Sequence, residues 1–190
     1  MKDAAADLNQ RISERVRELR AARALSLDAL ASKSGVSRSM ISLIERGETS
    51  PTAVVLEKLA GGLGVMLAAL FDAPAAEGPR GPLARRDEQP EWRDPASGYV
   101  RRQVFERADH PVELVRVELP PGAHVGFPAA SYRRIRQLVW VVEGELVMEE
   151  AGERRRLAAG DCLAFGPPAD SAFINDTATP CVYLVVVART

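Results

Sequence analysis

Arg38, Ser39 and Ser42 lie within GVSRSMISLIERGETSPT, residues 35–52, where apolar residues recur every third or fourth position and turns close both ends. A guanidinium can give two parallel hydrogen bonds to the edge of a guanine, and a short hydroxyl can bond a base or a phosphate. The same pattern would also serve the core-facing helix of an ordinary small domain. Elsewhere, chemistry-bearing residues are sparse. The chain has two histidines, His110 before Pro111 and His124 after Gly122, and two cysteines, Cys162 and Cys181, without CxxC spacing. Two cysteines are too few for a disulfide framework and read as reduced thiols in a cytoplasmic protein.

The chain of 190 residues, 46% apolar and 27% charged, has room for one large core or two small ones. Its net charge of −1 gives no whole-protein field that would announce a nucleic-acid partner. The charge is unevenly shared, however. Ten Lys/Arg stand against eight Asp/Glu through Phe71, and fifteen against eighteen after it. No apolar run approaches the ~20 residues that span a bilayer. The start, MKDAAADLNQR, has acidic residues where an export signal would have its apolar core. A cytoplasmic location without a membrane partner is therefore expected.

Two grammars position these residues. Residues 1–72 are helical in period. From 91 to 190 the chain alternates in the manner of strands, and 73–90, rich in Pro, Gly and charge, suit a linker. Leu8, Ile12, Val16 and Leu19 mark one face of a first helix. Ser26 sits where an N-cap belongs for a short second helix, LDALASKS, burying Leu27, Leu30 and Ala31 and ended by Gly35. Ser37 caps a third helix with Met40, Ile41 and Ile44 inward. Ser50-Pro51-Thr52 starts a fourth that buries Val55, Leu59 and Leu63, and VMLAALF supplies a fifth. Two short helices joined by a tight turn form a helix-turn-helix unit, though periodicity alone also allows a plain bundle. In the second half, GYVRRQVF, VELVRVELP, QLVWVVEGELVMEE, RRRLAAGDCLAF and CVYLVVVA are candidate strands of a sandwich or closed barrel.

Across residues 8–71 the sequence resembles the XRE, or phage-repressor-like, helix-turn-helix family. Leu30-Ala31, Gly35-Val36-Ser37, Ile41, Ile44-Glu45-Arg46-Gly47 and Ser50-Pro51-Thr52 carry that resemblance. It implies a DNA-binding domain of five helices. It implies that Arg20 and Glu45 form a structural pair tying the first helix to the end of the third. Ser37, Arg38, Ser39, Ser42 and Leu43 match groove-facing positions, with Leu43 open between a thymine methyl and the core. Ser26, Arg46 and Thr49 are implied phosphate contacts.

The second half resembles the cupin family, notably cupin domains fused behind an XRE domain. Pro120-Pro121-Gly122, Val141-Val142-Glu143-Gly144-Glu145-Leu146, Leu157-x-x-Gly160-Asp161, Pro167 and Asn175 carry it. The implied fold is a double-stranded β-helix barrel. Many cupins hold a divalent metal on three histidines and a glutamate, a set that supports oxygenase or isomerase chemistry. Here the glutamate position is Gln137, the paired histidines would fall near Ala130 and Tyr132, and the last histidine position is Ser171. No metal, cofactor or catalytic residue is expected, and His124 is set aside as a ligand. Tyr132, Gln137 and Ser171, with inward Val139 and Val141, instead suit a small-molecule pocket. Arginines 133, 134 and 136 nearby would favour an anion if they face it.

The expectation is a non-enzymatic transcriptional regulator. As a homodimer it would bind double-stranded DNA at a pseudo-palindromic operator, and its cupin would sense an unknown small-molecule effector, dimerise, or both. The alternatives are a cupin that only dimerises and, less favoured, a metal-dependent cupin enzyme fused to a DNA-binding domain.

Overall fold

The computed structural model describes residues 2–65, 67–71, 81–107, 109–133 and 135–189. It divides into two compact units, Met1–Gly78 and Pro79–Thr190. Of the expected linker, 73–80 lie outside the described residues; a 3-10 turn over Arg86–Glu88 follows within the remainder.

The first unit holds α1 (Lys2–Ala22), α2 (Leu27–Ser34), α3 (Arg38–Glu45) and α4 (Ala53–Leu63). On α1 the spacing of Leu8, Ile12, Val16 and Leu19 places all four in the core. Ser26 and Ser37 cap α2 and α3, their hydroxyls accepting from Ala29 N at 3.1 Å and Met40 N at 3.3 Å. Thr52 caps α4 in the same way through Val55 N. Leu30, Ile41, Ile44, Leu56 and Leu59 are fully buried between the helices.

Three expectations change. The fifth helix is a single 3-10 turn over Leu67–Leu70, with Met66 outside the described residues, so the described bundle has four α-helices. Gly64 ends α4 in the left-handed conformation, which breaks the helix before Leu67. Met40 faces outward at 37% exposure, because the turn that buries Ile41 and Ile44 carries position 40 to the flank. Val55, like Leu27 and Ala31 of α2, is half-buried, and its place in the core is taken by Leu56.

Two glycines fix close geometry. Gly47, just past α3, has a φ of 70°, and a Cβ there would lie 2.8 Å from Gln10 Oε1 of α1. Gly62, inside α4, lies against α2: a Cβ would come within 3.0 Å of the Ser34 backbone and 2.7 Å of its Cβ.

The second unit contains β1 (Glu91–Arg93), β2 (Val100–Phe105), β3 (Val112–Leu119), β4 (His124–Phe127), β5 (Ile135–Glu143), β6 (Glu145–Glu150), β7 (Glu153–Ala158), β8 (Cys162–Ala164), β9 (Ser171–Ile174) and β10 (Cys181–Arg189). A six-stranded sheet runs β1-β2-β3-β10-β5-β8, and a four-stranded sheet runs β4-β9-β6-β7. Every pairing is antiparallel. The long runs 137–150 and 154–165 each break in two, at Gly144 and around Gly160. Strands β1, β4 and β9 add to the five runs expected.

Period-2 alternation sets the two faces of the large sheet. On β5, Gln137, Val139 and Val141 are buried, whereas Leu138, Trp140 and Val142 are 41%, 47% and 40% exposed. Asn175, fully buried, closes one end of the unit. Its amide donates to Leu119 O and Thr179 O at 2.9 and 2.8 Å, and its carbonyl accepts from Thr177 N and Oγ1. A buried amide with this many partners costs little to bury and holds the β9–β10 connection against β3.

Candidate nucleic-acid interface and barrel interior

The outer surface of α2 and α3 gathers the residues expected to face a groove. Ser26, Ser37, Arg38, Ser39 and Arg46 are exposed, whereas Ser42, Leu43 and Thr49 are half-buried. Behind them Ile41 and Ile44 anchor α3. Glu45 accepts two hydrogen bonds from Arg20, Nε to Oε1 at 2.6 Å and Nη2 to Oε2 at 2.7 Å. The remaining Arg20 nitrogen donates to Leu25 O at 2.9 Å. This one guanidinium therefore joins the end of α1, the α1–α2 turn and the last residue of α3. The paired carboxylate raises the Arg20 pKa from its ordinary value, first through the hydrogen bonds.

Two acidic residues, Asp28 and Glu48, also belong to this surface. Asp28, in the first turn of α2, stands 3.3 Å from Arg38 Nε. Pairing through Nε leaves both terminal nitrogens of Arg38 free to form the two parallel bonds a guanine edge accepts. Glu48 takes both Nε and Nη2 of Arg46, at 2.6 and 2.9 Å, while Nη1 of Arg46 donates to Ser42 Oγ. The Arg46 guanidinium holds the Glu48 carboxyl below the usual carboxylate range, mainly through these hydrogen bonds. Ser37 and Ser39 hydroxyls are 3.2 Å apart. Glu48 was open to a local reading, two positions after Arg46. Asp28 was not, since only the tertiary turn brings it to Arg38.

In the interior of the second unit Tyr132, Gln137, Val139, Val141 and Ser171 are all buried. Tyr132, at the end of the 3-10 turn Ala129–Tyr132 between β4 and β5, and Ser171, at the start of β9, bond each other through their hydroxyls. Tyr132 begins a run of rings through Phe165 (centroids 5.6 Å), Phe173 (6.1 Å) and Tyr183 (5.4 Å). Burial pushes the Tyr183 hydroxyl pKa well above its ordinary value. The register adds three polar residues to this face. Arg101 lies opposite Val117 and Gln103 opposite Val115, and Arg101 Nη2 donates to Gln103 Oε1 at 3.0 Å. Glu113, 1% exposed, and Gln137 flank Val187 across the sheet. Alternation along β3 carries the signal for Glu113, which has the parity of Val115, Val117 and Leu119; on β2 Val100 and Val104 have the opposite parity to Arg101 and Gln103, and only the register with β3 places those two. By contrast, Arg133 and Arg136 are exposed and turned from the interior, and Arg134 lies outside the described residues.

The positions at which the cupin resemblance would put metal ligands thus offer an amide and hydroxyls, two of which are bonded to each other. Among the described residues no three His, Cys, Asp or Glu side chains come together as a metal-binding group. His124 is exposed on β4, and His110 Nδ1 lies 3.1 Å from Val112 N in a turn. The donor set does not fit a divalent transition metal.

Residues 16–70 match the helix-turn-helix family model, and residues 115–187 match the cupin domain model. Over 68 residues the chain is 40% identical to the HTH-type transcriptional regulator SutR of Escherichia coli (strain K12), a stretch that is 36% of this chain and 38% of that protein. The chain therefore spans well under half the length of that curated relative. Among solved structures, an HTH_3 family transcriptional regulator from Vibrio cholerae superposes with a TM-score of 0.79 at 26% identity, covering 98% of this chain and 99% of that one. Among the described residues no helix is long and apolar enough to cross a membrane.

Proposed function

We propose that this chain, which joins an XRE-type helix-turn-helix domain to a cupin domain, is a sequence-specific DNA-binding transcriptional regulator that works without catalysis. The observation carrying this reading is the outward row on α3 and its flanks: Ser37, Arg38, Ser39, Ser42 and Arg46 on a helix held rigidly from behind. The two regulators it resembles point the same way. Arg38 reads a guanine, the α2 N-terminus with Ser26 meets a phosphate, and Arg46 and Thr49 meet the flanking backbone. One such head contacts few base pairs, so the active species is a homodimer on a pseudo-palindromic operator with half-sites about 34–36 Å apart.

The barrel is read as the receiving site for a small organic effector. Tyr132, Gln137 and Ser171 supply hydrogen bonds within a wall of Val139, Val141 and aromatic rings. An effector changes operator affinity only if it binds the two arrangements of the DNA-binding domains unequally. A metal-dependent cupin enzyme is disfavoured by the neutral donors at the ligand positions.

Selection of bound duplexes from a random pool by the full chain tests the DNA reading. A recovered two-fold-symmetric consensus is expected, and recovery of unenriched sequence would refute it. A thermal-shift screen against amino acids, polyamines and small organic acids tests the effector. A stabilising ligand lost in Gln137→Leu is expected. Silence across a broad panel would leave the cupin as a dimerisation module.

A further inference from the structure

Across β8, β5 and β10 the outer face of the six-stranded sheet is apolar where a solvent-facing sheet should be polar, and β3 beside them carries Arg116 and Glu118 outward, 3.6 Å from each other. Leu138, Trp140 and Val142 stand exposed along β5. Register puts Ala164 of β8 beside Leu138, and Leu184 and Val186 of β10 beside Trp140 and Leu138. A contiguous patch of this kind on a soluble domain marks an interaction surface.

The charges at its two ends decide what fits it. Arg136 lies on the same face as Leu138 and Trp140, one step beyond the patch. At the other end a bulge in the β5–β10 pairing sets Glu143 beside Val182, which in turn lies opposite Glu118 of the outer row. With Glu118 already beside Arg116, the patch is basic at one end through Arg136 and acidic at the other through Glu143. A two-fold axis lying in the plane of the face, perpendicular to β5, lays a second copy on it with the strands antiparallel. It then brings Arg136 of each copy to the Glu143 end of the other, twice over, with the apolar residues between. The patch is complementary to itself.

We propose that this face, centred on Trp140, is the contact between two copies of the chain, packed sheet to sheet with their β5 strands antiparallel. The inference rests on the dimeric reading above and names the surface that reading left open.

Sedimentation velocity on the full-length protein tests it over a range of concentrations, with thermal melts as the check on folding. The wild type sediments as a dimer. Trp140→Glu, at a position already half exposed, melts like the wild type and sediments as a monomer. Arg136→Glu and Glu143→Arg each raise the dimer dissociation constant about tenfold or more by setting like charges together, and the double variant recovers most of that loss. That recovery is specific to the antiparallel arrangement and stands even if Trp140→Glu does not fold. A folded Trp140→Glu variant that dimerises like the wild type, or a double variant no better than the singles, overturns the assignment and leaves the dimeric reading intact. A wild type that is monomeric at every concentration overturns both.

Discussion

Arg20 and Glu45, twenty-five positions apart, meet in a two-pronged ion pair with both bonds under 2.8 Å, and Arg20 spends its remaining nitrogen on Leu25 O. The Glu45 side chain is 8% exposed and that of Arg20 19%. Removing one partner leaves the other charge largely out of water. Arg20→Ala or Glu45→Ala is expected to destabilise the first unit by about 2–4 kcal/mol, measured by denaturant unfolding. Arg20→Lys recovers only part, since an ammonium cannot supply the parallel fork. A loss below about 0.5 kcal/mol would show the pair to be dispensable.

Gly62→Ala should also destabilise this unit, although alanine is the better helix former. The new methyl meets the Ser34 backbone, which has no flexible end to swing away. Overpacking of this kind costs about 1–3 kcal/mol. Gly61→Ala is the control, since nothing lies within 4 Å of its Cβ. It should gain a few tenths of a kcal/mol or hold level. Equal melting temperatures for the two variants would contradict the close approach of α2 and α4.

Arg38→Ala is expected to cost about 1–3 kcal/mol of affinity for the selected operator while leaving unfolding unchanged, as befits a side chain 65% exposed. Asp28→Asn separates two effects. Removing a negative charge near the DNA backbone raises affinity for non-specific duplex. Releasing the Arg38 guanidinium lowers the ratio of specific to non-specific binding. Fluorescence anisotropy on both duplexes reads the two together, and an unchanged ratio would deny Asp28 a part in orienting Arg38.

Cys181 predicts an alkaline effect. Burial pushes its thiol pKa from 9.0 to about 11, so the folded state favours the neutral form. A raised pKa of this kind stabilises fully below pH 9, and the contribution is lost as pH climbs through 11. Thermal melts of wild type and Cys181→Ala should therefore converge across that window. At pH 8 a thiol reagent should leave Cys181 unmodified until the protein unfolds, since the residue is fully buried. Cys162 lies outward beside Trp140, and should label faster in Trp140→Glu than in the wild type.

Much of this is legible in the amino-acid sequence, and what is not has physical causes. Leu8, Ile12, Val16 and Leu19 could be placed because an α-helix returns to one face every three or four residues. Met40 misled because its side chain is apolar; its angle about α3, set by Ile41 and Ile44, puts it outside. The stretch VMLAALF has helical composition, yet after the left-handed Gly64 it winds only into the 3-10 turn Leu67–Leu70. Strands β1, β4 and β9 are three or four residues long, which gives one or two positions per face and no usable alternation. Glu113 shares the parity of Val115, Val117 and Leu119, but its charge suits a solvent face, and Arg101 and Gln103 alternate with the apolar Val100 and Val104, so only pairing with β3 turns them inward. A barrel interior with polar members is legible only when parity is allowed to outrank residue type. The Asp28–Arg38 pair depends on the angle between two helices, which no local pattern encodes.

Strand β5 carries Gln137, Val139 and Val141 on one side and Leu138, Trp140 and Val142 on the other. Its tolerance of change is therefore uneven. Point substitutions on either side act independently. A one-residue insertion between Gln137 and Leu138 would turn every following side chain of the strand over at once, sending Trp140 into the interior and Val139 into water. Descendants of this chain can vary the composition of the strand, but lineages that alter its length by a single residue lose the barrel filling and the outer face together.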